Sequence, residues 1–151
     1  MFRGISNLNS DPKGRIAIPT KYREEIKSEH EGKMILTVDH GDRCLVLYPM
    51  EKWLGTEQAL MGMPNIDPDV KSMKRLIMGY ATDVKMDDQG RIILPAPLRD
   101  YAGMGKKVVM IGQGDKFELW DEGSWGMGCD VMVKEAPVNI QNNESLRKLS
   151  I

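Results

Sequence analysis

An internal repeat constrains the fold of this 151-residue chain more than any other feature. The fourteen residues 11–24 return 76 positions later as residues 87–100, with six identities and two further positions of the same chemical type. Two unrelated segments of average composition would share roughly one identity by chance over fourteen positions. Each copy ends at a tryptophan, Trp53 or Trp125. A unit of this size would bury too little surface to be stable alone. The repeat therefore predicts two units that share one core, or copies of the chain that associate.

Each repeat begins with the chemistry of a tight turn. Asp11 suits the first position of a type I turn, Pro12 the second and Gly14 the fourth, and a glycine here also suits a hairpin with a bulge. β-forming residues flank the turn, so the block predicts a β-hairpin. Pro19 then suits the first position of a short helix.

The rest of each unit predicts a second hairpin and a helix. The apolar runs 34–38 and 44–48 flank a turn, and a helix beginning near Pro49 should carry its apolar residues inward. Those residues are Trp53, Leu54, Leu60 and Met61. In the second copy, Gly105-Lys106 matches Gly32-Lys33, and the run around Phe117 matches the run around Cys44.

These patterns divide the chain into four segments. Residues 1–54 form the first unit, 55–80 a helical linker, 81–126 the second unit and 127–151 a C-terminal tail. The linker has a helical period after Pro68, and its methionines Met61, Met63, Met73 and Met78 are predicted to pack in the core, with a subunit interface as the alternative. The tail shows little periodicity, so we expect a mobile segment or a surface for self-association. The predicted fold is mainly β with short helices, of the α+β class.

Charge is distributed unevenly along the chain. The net charge is −1, which gives no overall basic signal. The first 23 residues nevertheless contain five cations, at positions 3, 13, 15, 21 and 23, against the single carboxylate of Asp11. Nucleic-acid binding would therefore depend on a local basic cluster.

Little in the sequence indicates an enzyme. His30 and His40 lie among polar residues and are expected to be solvated, and no P-loop, nucleophile elbow or dinucleotide fingerprint is present. Asp11 and Asp87 could form an acid–base dyad if the repeat brought them together, but an arginine follows each, which favours structural pairs. We predict no catalysis, no metal and no cofactor.

Two cysteines indicate a reduced, cytosolic compartment. Cys44 and Cys129 have no metal-type spacing and are too few for a disulfide framework. Cys44 is expected to be a buried apolar residue. No signal peptide or membrane-spanning stretch is evident, so neither secretion nor a membrane partner is expected.

The repeat resembles a known family. The start Met-Phe-Arg-Gly, the Asp-x-x-Gly-Arg-Ile-x-Ile-Pro-x-x-Tyr-Arg block and its second copy at this spacing resemble the MraZ family of the AbrB/SpoVT superfamily. Residues 44–49 and 116–121 resemble it as well, and the likeness covers roughly residues 1–125. It implies two tandem AbrB-like swapped-hairpin units that form one pseudo-symmetric β-barrel-like domain.

The resemblance also implies a function. Members of the family are bacterial transcriptional regulators, usually repressors, that bind short repeated double-stranded DNA elements upstream of the division and cell-wall gene cluster. They form ring-shaped homo-oligomers and associate with the nucleoid, and no small-molecule substrate is implied. The alternative is an antitoxin-like protein-interaction module of the same fold.

The DNA-binding hypothesis centres on the first turn. Arg15 would contact a base or a phosphate, because its fork can reach guanine bidentately, and Lys13 and Arg3 would neutralise phosphates. Gly14 would let the backbone approach DNA. Arg91 is the equivalent in the second copy, which has Asp88-Gln89 in place of Pro12-Lys13.

A structural role for the same residues stays open. Asp11 and Asp87 should brace the turns by accepting hydrogen bonds from turn amides or by pairing with an arginine, and Gly90 should fix the second turn. Arg15 and Arg91 could themselves be bracing residues. Arg23 and Arg99 are expected to close helix ends or to pair with acids.

Overall fold

Both units follow the same order of elements: two strands, a short helix, two strands and a longer helix, with one further helix between the units. The computed structural model describes residues 1–151. The elements are β1 (Ile5–Asn9), β2 (Arg15–Ala17), α1 (Thr20–His30), β3 (Lys33–Val38), β4 (Leu45–Pro49), α2 (Met50–Met61), α3 (Pro68–Tyr80), β5 (Thr82–Lys85), β6 (Arg91–Ile93), α4 (Ala96–Tyr101), β7 (Lys107–Gly112), β8 (Phe117–Asp121), α5 (Glu122–Asn142) and α6 (Glu144–Arg147).

The two units are interleaved in one antiparallel sheet. Its strand order is β1-β7-β8-β4-β3-β5, so three of its five strand pairs join one unit to the other. β2 and β6 leave this sheet and pair with each other as a separate two-stranded ribbon. The predicted α+β class is confirmed, but the fold is mixed and not mainly β, because the helices contain more residues than the strands.

The sheet does not close into the expected barrel. β1 and β5 remain its two edges. β2 and β6 follow tight turns and are only three residues long. They pair with each other, so neither strand links one edge of the sheet to the other.

One hydrophobic core contains residues from both units. Equivalent side chains of the two units belong to it, including Ile16 and Ile92, which pair in register, and Ile18 and Leu94, all at most 1% exposed. The prediction of a shared core is confirmed. It explains how two units of marginal size form one stable body.

The registers correct the repeat alignment. In the β3–β5 pair, Lys33 lies opposite Lys85. The counterpart of Lys85 in the first unit is Asn9, 76 positions earlier, and Asn9 lies opposite Lys107 in the β1–β7 pair. Lys107, and not Lys106, is therefore the counterpart of Lys33. By the same rule, Phe117 corresponds to Leu45.

The helices of the linker begin as expected, but two apolar residues face solvent. Trp53 and Leu60 of α2 are 2% and 9% exposed, whereas Leu54 and Met61, expected inward, are 47% and 59% exposed. Residues seven apart share one helix face, and the next residue along is rotated by about 100°. α2 therefore buries a narrower stripe than the sequence predicted.

The C-terminal segment differs most from expectation. The segment expected to be irregular forms the 21-residue helix α5, capped by Asp121, whose side chain accepts from Ser124 N–H at 3.3 Å. The sequence pattern missed this helix because it contains three glycines and Pro137. These cost about 1 kcal/mol per glycine and about 3 kcal/mol for the proline relative to alanine. The boundaries predicted at residues 54 and 126 fall inside α2 and α5.

No helix combines the length and apolar composition that a membrane span needs.

Candidate nucleic-acid interface

The first turn is braced by a single carboxylate. Asp11 Oδ1 accepts hydrogen bonds from the backbone N–H groups of Lys13 and Arg15, both at 2.9 Å, and Oδ2 accepts from Arg15 Nε at 2.5 Å. Gly14 has φ +82°, a backbone conformation that favours glycine. The hydrogen bond from Arg15 N–H is the main cause that lowers the pKa of Asp11 below its ordinary value.

The second turn repeats this arrangement. Asp87 Oδ1 accepts from the N–H groups of Gln89 at 2.9 Å and Arg91 at 2.8 Å, and Oδ2 accepts from Arg91 Nε at 3.0 Å. The N–H of Arg91 is likewise the main cause that lowers the pKa of Asp87. Each carboxylate therefore pairs with the arginine of its own turn, as the structural alternative predicted.

The lowered pKa values predict how stability depends on pH. A group whose folded-state pKa is lowered contributes stability that is complete above the unfolded-state pKa, near about 4 for aspartate. That contribution is lost as pH falls through the lowered folded-state value. We expect the thermal midpoint to fall as the pH drops below about 4, and the double variant Asp11→Asn/Asp87→Asn to show a shallower fall. Circular dichroism melts across this range measure it.

A variant at a carboxylate outside both turns is the control. Glu57→Gln changes a partly exposed side chain of α2 that forms no ion pair within the chain, so its melting profile should follow that of wild type. Identical acid profiles for wild type and the double variant would contradict the bracing role.

Each turn is also packed against an arginine from the other unit. Arg99 lies over Gly14, where a Cβ atom would come within 3.0 Å of Arg99 Nε, and Arg23 lies over Gly90 in the same way. The Nε of Arg23 donates to Ile18 O at 2.6 Å. The Nε of Arg99 is buried and has no partner. The expected pairing of these two arginines with acids does not occur.

The β2–β6 ribbon presents both turn arginines on one face. In its register, Arg15 lies opposite Ile93 and Ala17 opposite Arg91. Side chains alternate between the two faces of a strand. Ile16 and Ile92 between them are buried, so the other four residues form the outer face. Arg15 and Arg91 are diagonal neighbours there, with Cα atoms about 7–8 Å apart.

The ion pairs with the turn carboxylates leave part of each arginine side chain free. The side chain of Arg15 is 30% exposed and that of Arg91 is 33% exposed. Each is held through Nε alone. The two terminal Nη groups of each fork remain available as donors, so one arginine can both brace its turn and bind a ligand.

The surroundings of the two turns differ in charge. Beside the first turn lies a cleft lined by Pro12, Arg99 and Lys106, together with Asn9, Ser10, Asp11, Met104 and Gly105. The matching cleft beside the second turn contains four carboxylates, those of Glu24, Glu31, Asp87 and Asp88, with three cations. The surface beside the first turn is therefore the more positive of the two.

One position at which the two units have different residues contributes to this difference in charge. Ser10 N–H donates to Lys106 O at 2.7 Å, and Met86 N–H donates to Gly32 O at 2.9 Å in the other unit. Lys106 thus stands where the first unit has a glycine. It is exposed and forms no ion pair.

The structure brings most, but not all, of the sequence-predicted residues together. Lys13 is exposed at the first turn, beside Arg15. Arg3 is exposed at the opposite end of β1, which separates it from the turn by about 17 Å of strand. Ile93 and Lys106 were not predicted at this surface, and Arg99 was expected at a helix end or beside an acid. A register between the two units was needed to place them.

Two further expectations concern titratable side chains away from the turns. His30, expected to be solvated, is only 11% exposed, beside Glu29, because the end of α1 meets the region around Pro49. Cys44 is buried as expected, and burial raises the pKa of its thiol.

Comparison with known proteins identifies the family. The family model described as "MraZ protein, putative antitoxin-like" matches residues 1–76 and again residues 77–131. Proteins named transcriptional regulator MraZ are similar along the chain: 49% identity with that of Thioalkalivibrio sulfidiphilus (strain HL-EbGR7) over the full length of both, and 45% with that of Shewanella baltica (strain OS155 / ATCC BAA-1091), also over both full lengths. The protein of that name from Halorhodospira halophila (strain DSM 244 / SL1) is 48% identical over 83% of this chain and 82% of its own. All three relatives are named as transcriptional regulators. The chain belongs to the MraZ family.

Proposed function

We propose that this chain is a sequence-specific DNA-binding transcriptional regulator that reads DNA with the outer face of the β2–β6 ribbon. The observation that carries the proposal is the placement of Arg15 and Arg91 on that one exposed face, each with free terminal donors. The major groove admits a two-stranded β-ribbon, and arginine bound to guanine is its commonest specific contact.

Each residue of the surface has a role in this proposal. Arg15 binds a base edge, with Asp11 holding its guanidinium in position, and Arg91 makes a weaker contact beside the acidic second turn. Ile93, 56% exposed between them, suits apolar contact with a thymine methyl group. Lys13 and Lys106 neutralise phosphates, which anchors the ribbon without reading sequence. Gly14 lets the backbone approach the DNA, and Arg3 contacts phosphates farther along.

Family membership supports the regulatory role. The relatives are named transcriptional regulators. We propose that this chain acts in the cytoplasm, associated with the nucleoid, and represses genes by binding short repeated elements upstream of the division and cell-wall gene cluster. The reciprocal exchange at the turns, where Ile18 N–H donates to Gly90 O and Leu94 N–H to Gly14 O, both at 2.8 Å, supports a swapped-hairpin arrangement of the two units.

Repetition of the ribbon is part of the proposal. A surface with four or five cations gives weak binding at physiological salt. Copies linked in a ring-shaped homo-oligomer would contact several DNA repeats at once and gain affinity through effective concentration. Spacing between DNA repeats should then match the spacing between neighbouring ribbons.

Binding to its own upstream DNA tests the function. Fluorescence anisotropy of wild-type protein is measured at several salt concentrations, with a duplex from upstream of the gene and a scrambled duplex of equal composition. Selective, salt-sensitive binding to the first duplex is expected, roughly 10³-fold or more tighter than to the second. Equal, weak binding to both would overturn the proposal.

Two adjacent lysines test the contribution of the first cleft. Lys106 lines the cleft, whereas the next residue, Lys107, does not and pairs in register with Asn9. Lys106→Gln should weaken binding to both duplexes alike and reduce the slope of log affinity against log salt by about 1. Lys107→Gln removes the same charge one residue away and is the matched control. Equal effects of the two variants would show that the cleft has no specific role.

An antitoxin-like protein-interaction module is the second candidate. The description of the family includes this term, and the exposed apolar side chains of α5 would suit a protein partner. Under this alternative, a distinct protein co-purifies in fixed stoichiometry and the chain shows no sequence-selective binding to DNA.

A further inference from the structure

Arg99 is a half-buried cation without a charged partner in the chain. It lies on α4, and its side chain forms no ion pair with any carboxylate. Its Nε is shielded from solvent and has no hydrogen-bond acceptor. Leaving a buried donor unpaired is costly, and charges that are withdrawn from water are normally paired. Arg99 therefore calls for an acceptor that the chain itself does not supply.

The equivalent arginine of the first unit has the acceptor that Arg99 lacks. Arg23 and Arg99 lie 76 positions apart in the repeat, and each packs over the turn glycine of the other unit. The Nε of Arg23 donates to Ile18 O at 2.6 Å. The corresponding carbonyl in the second unit is that of Leu94, and the Nε of Arg99 does not bond to it. The unpaired state of Arg99 is therefore not imposed by the frame of the repeat.

Arg99 lines the cleft beside the first turn, together with Lys106. The cleft has a volume of about 630 Å³, which lies within the range of small-ligand sites. Among its lining residues Met104 is the only large apolar one, so the cleft suits a charged group better than an apolar ligand. Its one carboxylate, Asp11, already accepts three hydrogen bonds, one of them from Arg15 Nε. Two cations thus line a cleft whose single negative charge is already compensated.

The cleft beside the second turn has an equivalent arginine but the opposite charge. The carboxylates of Asp88 and Glu31 line it at the positions where the first cleft has Pro12 and Gly105. With two further carboxylates and three cations, the second cleft is negative by count, whereas the first is positive. The second cleft is therefore a comparison within the same molecule, and the capacity to attract an anion belongs to the first.

The two cations of the first cleft match a phosphoryl group. An arginine fork binds two phosphate oxygens at once, and a lysine adds a point charge that can reach a third. A terminal phosphoryl group offers three such oxygens and nearly two negative charges at neutral pH. Asn9, also in the lining, adds a neutral donor.

We infer that the first cleft is a phosphoryl-binding site in which Arg99 and Lys106 hold the group. The phosphoryl group is either a backbone phosphate of bound DNA or part of a free phosphorylated compound, and the chemistry of the site is the same for both. The DNA source rests on the proposed function, whereas the site itself can be measured without DNA. Because Arg99 packs on Gly14, a ligand that holds its guanidinium also acts on the turn that carries Arg15.

Titration with inorganic phosphate tests the site in the absence of DNA. The amide NMR signals of isotope-labelled glycines are followed at constant pH and ionic strength, with chloride in place of phosphate as the control titration. The signals of Gly14, beneath Arg99, and of Gly105, in the cleft lining, should shift and saturate with phosphate. The signal of Gly90, at the matching position of the second turn, should not.

Variants locate the bound phosphate. Arg99→Gln should lower the affinity for phosphate by about 10-fold or more, as for the loss of a hydrogen bond to a charged group. Arg99→Lys keeps the charge without the fork and should fall between the two. Lys106→Gln, at an exposed position, should also weaken binding and cannot disturb the packing on Gly14. Arg23→Gln and Lys107→Gln each remove one cation outside the first cleft and should leave the affinity for phosphate unchanged.

Three results would overturn the inference. One is a phosphate titration that cannot be distinguished from the chloride control. Another is a pair of shifts of equal size at Gly14 and Gly90, which would show that the anion does not distinguish the two clefts. The third is equal affinity for phosphate in wild type, Arg99→Gln and Lys106→Gln.

Competition with the upstream duplex then identifies the source of the phosphoryl group. If DNA supplies it, phosphate should displace the duplex more effectively than chloride does at equal ionic strength, and Arg99→Gln should remove that difference and weaken duplex binding. If a free compound supplies it, Arg99→Gln should bind the duplex as wild type does when no phosphate is present. Phosphate binding by a protein without selectivity for the duplex would support the site and contradict the regulator. Selective duplex binding without phosphate binding would contradict the site alone.

Discussion

Replacing Arg15 with alanine is expected to lower the affinity for the upstream duplex by about 10- to 100-fold, the range of one good bidentate base contact. The terminal donors of Arg15 are free on the outer face of the ribbon, and Lys13 flanks its turn. Arg91→Ala removes the equivalent donor beside the carboxylate of Asp88, so its loss should be smaller, about fivefold. Anisotropy titrations of both variants on the upstream and scrambled duplexes measure the difference.

A conservative variant separates base reading from bracing. Arg15→Lys keeps the positive charge but cannot form the bidentate fork, so it should retain binding to the scrambled duplex and lose most of the discrimination. The ion pair with Asp11 is partly open to solvent and therefore contributes little to stability, so folding should be nearly unchanged in both Arg15 variants. Full discrimination by Arg15→Lys or Arg15→Ala would show that Arg15 only braces the turn.

The turns and the repeat could be predicted from sequence because their information is local. Asp11 and Gly14 lie three residues apart, and their hydrogen bonds and positive φ depend only on that short segment. The same holds for Asp87 and Gly90. Pro68, near the start of α3, is a local signal of the same kind.

The proposed binding face of the ribbon could not be predicted because it depends on pairing between units. Nothing within residues 11–24 indicates that Arg15 lies diagonal to Arg91, or that Ile93 is exposed between them. Lys106 reaches the first cleft through a register one residue away from the alignment of the repeats. One-residue shifts of this kind change which side chain faces a site.

Helix α5 escaped prediction for a different reason. Its glycines and Pro137 oppose a helix locally, and no burial pattern within the chain compensates for them.

Replacing Phe117 with alanine is expected to cause the largest loss of stability, about 3–5 kcal/mol, as for a buried aromatic residue that leaves a cavity. Phe117 is completely buried in β8 of the second unit. Its ring centroid lies 4.2 Å from that of Phe2 and 4.9 Å from that of Tyr22, both in the first unit. The thermal midpoint should fall by about 10 °C or more, measured by thermal and urea unfolding followed by circular dichroism.

Phe117→Leu is the matched control, because Leu45 already fills the equivalent place in the first unit. It keeps most of the buried volume and should cost less than half as much as the alanine variant. Because the cluster joins both units, the alanine variant should still unfold in a single transition, with both units losing structure together. Two separate transitions, with the first unit unaffected, would contradict the interleaved core.

The ribbon depends on that core, since Ile16 and Ile92 beneath Arg15 and Arg91 belong to the same buried cluster. Loosening Phe117 should therefore weaken DNA binding without changing any group that contacts DNA.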